Sequence, residues 1–120
     1  MDLKNMETYK KLGLAARYNT TADVLRELAK EDNWDIKYRV AGHPNTPDDI
    51  LCNLAKDEDC WIRGEVAINP KSSIKVIVML FEREKNLKKP AENVITALYN
   101  NSKLPYVAKI IIETLFRKML

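Results

Sequence analysis

Residues 40–70 read VAGHPNTPDDILCNLAKDEDCWIRGEVAINP, a stretch that opens and closes on the same phrase: Val40-Ala41 then Pro44, and Val66-Ala67 then Pro70. The phrase recurs with a period of 26, and one step back lands on Leu14-Ala15. The register holds through Val24, Ile50 and Val76, through Leu25, Leu51 and Ile77, and through Leu28, Leu54 and Leu80. Ala29 pairs with Ala55 and Lys37 with Arg63. A fixed period of this size marks supersecondary units that cannot bury an apolar face alone and gain a core by stacking.

Within each unit the apolar spacing is helical. Ile50, Leu51, Leu54 and Ala55 form one stripe, and Ile62, Val66 and Ala67 another. Helices of about three turns are marginal in isolation, so packing must hold them. Thr46-Pro47-Asp48-Asp49 reads as a helix start, with Thr46 as N-cap, proline at the first helical position and acid against the dipole; Thr20 to Asp23 repeats it without the proline. His43-Pro44 and Asn69-Pro70 end the preceding helices, because a residue before proline is pushed out of the α region.

These signals predict eight helices, at about 2–18, 21–31, 34–42, 46–56, 59–68, 72–86, 90–100 and 103–120. They pair into four units, about 2–31, 34–56, 59–86 and 90–120, of one domain spanning 1–120. The fold class expected is all-α, a right-handed α-α superhelix (solenoid) of about four two-helix repeats with period 26. The last unit is degenerate, with Val94-Ile95 in the place of Val66-Ala67 and Ser102 opening the final helix as Ser72 opens an earlier one.

Composition agrees. Of 120 residues, 46% are hydrophobic and 31% charged, with three glycines and five prolines, which suits a helix-rich globular chain and not a disordered one. Met1 to Lys10 has no apolar run of signal-peptide length, and nothing approaches the roughly 20 apolar residues of a bilayer span. A cytoplasmic location without membrane contact is expected. Cys52 and Cys60 are too few for a disulfide framework and are expected as free thiols, Cys52 partly exposed and Cys60 packed. The formal net charge of +3 is uneven: the stretch from Met1 to Pro70 holds more acids than bases, and the stretch from Lys71 to Leu120 is strongly basic.

The string Leu54-Ala55-Lys56-Asp57, Trp61-Ile62-Arg63, Val66-Ala67, Asn69-Pro70 resembles the variant leucine-rich repeat, a HEAT-like α-superhelical family with the motif LAxD, VRxxVA, NPxTP. His43-Pro44 and Thr46-Pro47 supply the last part in the preceding unit, so the resemblance covers about residues 12–82. It implies a scaffold and leaves the role open, since such solenoids host many. Some members carry an iron–sulfur cluster on a cysteine-rich N-terminal extension; no cysteine precedes Cys52, so no such cofactor is implied here. Related solenoids include DNA binders.

Catalytic chemistry is thinly represented. Gly13, Gly42 and Gly64 are isolated, so no phosphate-binding loop is formed. His43 fits a helix-end capping role, and Asp57-Glu58-Asp59 falls where a helix begins and complements its dipole. Cys52, Cys60 and His43 lack the spacing of a metal site, and neither thiol has a base paired with it. Neither enzyme activity, nor a metal, nor a cofactor is expected. Trp34 and Trp61 are expected to pack between units.

The function expected is a non-enzymatic interaction module, an adaptor or inhibitor that holds a protein partner along an inner face made by the second helices. Arg26, Lys30, Asp49, Cys52, Asn53, Lys56, Val78 and Met79 are the candidate contacts, with Val78 and Met79 leading because they widen an apolar surface. The alternative is nucleic-acid binding by Lys71, Lys75, Lys85, Lys88, Lys89, Lys103, Lys109, Arg117 and Lys118, whose affinity would fall steeply with salt. The last helix, with Val107, Ile110, Ile111, Ile112, Leu115 and Phe116, is wider in its apolar face than one-sided packing needs, which suggests a homodimer through the C-terminus.

Overall fold

The computed structural model describes residues 2–120. Among them are eight α-helices: α1 Thr8–Ala16, α2 Ala22–Leu28, α3 Trp34–Gly42, α4 Asp48–Leu54, α5 Cys60–Ile68, α6 Ile74–Asn86, α7 Glu92–Tyr99 and α8 Tyr106–Leu115, followed by a 3-10 turn at Arg117–Met119. The chain is all-α and elongated, 49 × 23 × 18 Å. Its radius of gyration is 15.0 Å, against roughly 13.6 Å for a compact chain of this length. No described helix is long and apolar enough to cross a membrane.

Helix starts follow the sequence period. Thr8, Trp34 and Cys60 open α1, α3 and α5 one period apart, and Ala22, Asp48 and Ile74 open α2, α4 and α6 at the same interval. The aligned apolar columns become one core. Leu25, Leu51 and Ile77 are fully buried, as are Val40, Ala41, Val66 and Ala67.

The last unit keeps the pattern in a different register from the one expected. α7 starts at Glu92 against Cys60 for α5, and α8 at Tyr106 against Ile74 for α6, so both helices begin later than the period alone would place them, and by the same amount. Val94 therefore stands where Ile62 does, and Leu98 where Val66 does. The extra residues extend α6. After Leu28 and Leu54, an alanine and a polar run lead to Asn33 and Asp59, which cap the next helix by accepting its backbone N–H groups. After Leu80 the chain instead offers buried Phe81 and then Glu82-Arg83-Glu84-Lys85, good helix formers with no competing cap, so the helix runs on to Asn86. Ser102 opens nothing: Pro105 precedes α8, and buried Leu104 takes the column of Ser72. The first helix also begins later than expected, at Thr8.

A second correction concerns Thr46. Pro47, not Thr46, is the N-cap of α4, matching Thr21 and Ser73, whose hydroxyls accept from Val24 and Val76 N–H. Thr46 is buried and donates its hydroxyl to the Val40 carbonyl at 2.6 Å; Thr20 does the same to Leu14, and Ser72 to Val66 at 2.6 Å. These hydroxyls tie the end of each first helix to the start of its second. Thr46→Val, which keeps the shape and removes that bond, is expected to cost about 1 kcal/mol in urea unfolding.

A second column ties unit to unit. Asn69 Nδ2 donates to the Ala41 and His43 carbonyls at 2.8 and 2.9 Å, and its Oδ1 accepts the Lys71 N–H at 2.9 Å. Asn101 repeats this toward the Ala67 carbonyl and the Lys103 N–H, both at 2.8 Å. His43 makes the equivalent bonds to Arg17 and Asn45. The expected capping role of His43 thus becomes a joint between units.

Charge is paired in a third column. Lys11 bonds Glu31, Lys37 lies 3.6 Å from Asp57, and Arg63 meets Glu84 through Nε and Nη2 at 3.1 and 3.2 Å. The lengthened α6 is what places Glu84 under Arg63.

The rows of helices differ in tightness. α1, α3, α5 and α7 pack each against the next, whereas α4 touches α6 lightly and α8 rests mainly on α7 and the 3-10 turn. The tighter row is that of the first helices. Small residues explain this: Ala15, Ala41, Ala67 and Gly64 are buried in that row and let backbones approach, while the second row carries the bulkier Leu25, Leu51 and Ile77.

Candidate functional site

A groove of about 1000 Å³ lies between α5 and α7. Asp59 caps α5 by accepting the N–H groups of Trp61 and Ile62, which sets Trp61 in the first turn. Ile68 follows two turns later on the same helical face. Both remain exposed, at 58% and 65%. The facing wall mixes Asn93, Thr96 and Asn100, at helical spacing on α7 and its C-cap, with Ala91 and Ala97, and Glu92, Ser102 and Lys103 also line the groove. The walls are drawn together at Gly64. Asn93 Nδ2 donates to the Cys60 carbonyl at 3.0 Å, and a Cβ on residue 64 would lie 2.6 Å from that nitrogen.

Trp61 has companions along the first-helix row. Tyr9 on α1 and Trp34 on α3 are 65% and 45% exposed, and Trp34 stacks on Tyr38 with ring centroids 4.9 Å apart. The tryptophans therefore do not pack between units. Their columns, Thr8/Trp34/Cys60 and Tyr9/Asp35/Trp61, also hold Thr, Asp and Tyr. That mixed polarity is the sequence signal of outward-facing columns. The Glu65 carboxylate, accepting from the Tyr38 hydroxyl, holds that hydroxyl above the usual tyrosine range, and Glu113 does the same to Tyr99.

The second-helix candidates are arranged differently. Arg26 bonds Asp49, Lys30 lies 3.0 Å from Glu27, and with Asn53 they line a shallow hollow of about 250 Å³ between α2 and α4. Lys56 is exposed and Cys52 half-buried beside the core. Val78 and Met79 are half-buried one unit along, Met79 against the core, away from that hollow. Cys60 is likewise half-buried, and both cysteines are free thiols.

The basic residues are not gathered at one place. Lys85 pairs with Glu82 at 3.0 Å and lies over the Phe81 ring, and Lys103 Nζ donates to the Pro70 and Ser72 carbonyls at 2.8 and 2.6 Å. Lys71 and Lys75 stand at the start of α6 and Lys88 and Lys89 beyond its end, about 20 Å away at 1.5 Å per residue. Lys109 is half-buried on α8, and Arg117 and Lys118 are exposed in the 3-10 turn. On α8, Ala108 and Ile112 are buried while Tyr106, Val107, Ile110 and Leu115 remain exposed.

Compared with family models, with curated proteins and with solved structures, the chain finds no match in any of the three.

Proposed function

We propose that this chain is a non-enzymatic helical-repeat module, a right-handed α-solenoid of the HEAT-like kind that the variant leucine-rich-repeat resemblance suggests, and that it binds a protein partner across its first-helix face. The regular recurrence of helix starts, hydroxyl ties and side-chain joints supports a repeat architecture. A row packed more tightly than its partner row lies on the inside of any curve, which favours the first helices as the recognition surface of such a scaffold.

The observation that carries the reading is the α5/α7 groove: Trp61 and Ile68, both more than half exposed, stand opposite Asn93, Thr96 and Asn100. Covering an aromatic and an aliphatic side chain releases about 1.5–3 kcal/mol each, and tryptophan is among the residues most enriched at binding hot spots. The amides and hydroxyl supply donors and acceptors that orient a partner's polar groups. The module then acts as an adaptor or inhibitor.

A photoreactive benzoylphenylalanine at position 61 in the native cell is expected to give discrete protein adducts, while the same probe at position 53, on the second-helix row, gives none. With the partner in hand, Trp61→Ala is expected to weaken binding at least tenfold and to leave thermal unfolding unchanged, because the side chain is mostly exposed. Adducts at position 53 alone would move the partner to the second row, and binding of DNA or RNA at low salt without any protein adduct would replace the reading by the nucleic-acid one.

A further inference from the structure

One face of α8 departs from its equivalents in the other second helices. The stripe that stays outside the core is Ala22, Asp23, Arg26 and Lys30 along α2 and its end, Asp48, Asp49, Cys52 and Lys56 along α4, and Ile74, Lys75, Val78 and Glu82 on α6. In the register set by Tyr106 against Ile74, the same stripe on α8 is Tyr106, Val107, Ile110 and Thr114, which carries no charge at all. Tyr106, Val107 and Ile110 are 77%, 68% and 43% exposed, and the Thr114 hydroxyl donates to the Ile110 carbonyl at 2.8 Å. An apolar stripe where three sister helices place charge marks a surface of association.

The flank beside that stripe is charged where the other units are apolar. Lys109 stands in the column of Leu25, Leu51 and Ile77, and Glu113 in that of Ala29, Ala55 and Phe81. Four residues apart, the two lie one turn from each other on the same side of the helix. Lys109 is half-buried and makes no ion pair among the described residues. Glu113 is exposed and accepts the Tyr99 hydroxyl through one oxygen, which leaves the other open.

We propose that a second copy of this chain covers the stripe, with α8 lying antiparallel against α8 across a two-fold axis. Such an axis sets like flank against like flank with the direction reversed, so Lys109 of each copy meets Glu113 of the other. Ile110 meets its own equivalent near the centre, and Tyr106 and Val107 of one copy lie over Thr114 of the other. The stripe is thus its own complement in charge, which a closed pair of identical chains requires and an unrelated partner does not. A contact of one ten-residue helix from each copy is at the small end of specific interfaces, so the dimer forms on the order of tens of micromolar. It lies apart from the α5/α7 groove and does not depend on what occupies it.

Sedimentation equilibrium of the full chain between about 1 and 300 µM is expected to show an average mass rising from 13.9 kDa toward twice that value. Ile110→Asp is expected to weaken the dimer at least tenfold with unchanged thermal unfolding. Lys109→Glu and Glu113→Lys each set like charges against one another and are expected to weaken it by a similar factor. An equimolar mixture of those two variants pairs again, because each supplies the sign that the other lacks. Benzoylphenylalanine at position 107 is expected to give an adduct of two chains in the native cell. A chain that stays at 13.9 kDa throughout, a dimer indifferent to Ile110→Asp, or a mixture no better paired than either charge variant alone overturns the proposal. So does an adduct of some other mass only, which assigns the face to a different protein.

Discussion

Glu84→Ala is expected to destabilise the fold by about 3–5 kcal/mol, measured as the loss of urea-unfolding free energy. Glu84 is fully buried and Arg63 is 4% exposed. The carboxylate answers Arg63 through two bonds and also accepts the Ala91 N–H at 2.6 Å, at the start of α7. Removing it leaves a guanidinium out of water with no counter-charge, since its remaining contacts are the Asp57 and Glu58 carbonyls. The double variant Arg63→Met with Glu84→Leu is expected to recover most of the loss, because replacing a buried pair by apolar groups of similar volume removes both desolvation costs. A loss below about 1 kcal/mol for Glu84→Ala would mean that water reaches the pair.

Asn69→Ala is expected to cost about 3 kcal/mol by the same measurement. The side chain is 2% exposed and closes three bonds at once, so its truncation strands two carbonyls and one N–H at a buried junction. Asn69→Asp is expected to cost at least as much, since it keeps the acceptor but turns a charge toward the Ala41 and His43 carbonyls. Indifference to both changes would show that the column of joints is decorative and that apolar packing alone aligns the units.

Most of the architecture was legible because period and helical spacing act on the same residues. Leu25, Leu51 and Ile77 recur once per period and are all buried. The register of the last unit was misread for a physical reason: Val94-Ile95 resembles Val66-Ala67, and aliphatic side chains substitute for one another in a core. The polar column is more discriminating. Asn101 with Lys103 repeats Asn69 with Lys71, and few side chains satisfy the same carbonyl and N–H together, so that pair carried the correct offset.

The candidate site was less legible. A buried column announces itself by being uniformly apolar, whereas an exposed column is free to vary. Choosing between two exposed rows depends on how closely backbones approach, which was set by the small residues Ala15, Ala41, Gly64 and Ala67. Trp61 and Trp34 were expected inside because each opens the first helix of a unit, although their columns include Asp35 and Thr8. The Arg63–Glu84 pair was hidden because the period puts Arg83, not Glu84, in the column of Glu31 and Asp57; Glu84 arrives on the residues that lengthen α6.

That lengthened helix also divides the chain into interchangeable and non-interchangeable parts. Upstream of Phe81, a block one period long, such as 34–59, is expected to tolerate duplication or deletion, with the buried apolar columns and the helix-end hydroxyl ties finding equivalent mates. A recombination joint that crosses Asn86 brings together lengths that do not match, leaving an amide opposite a side chain and a carbonyl opposite nothing.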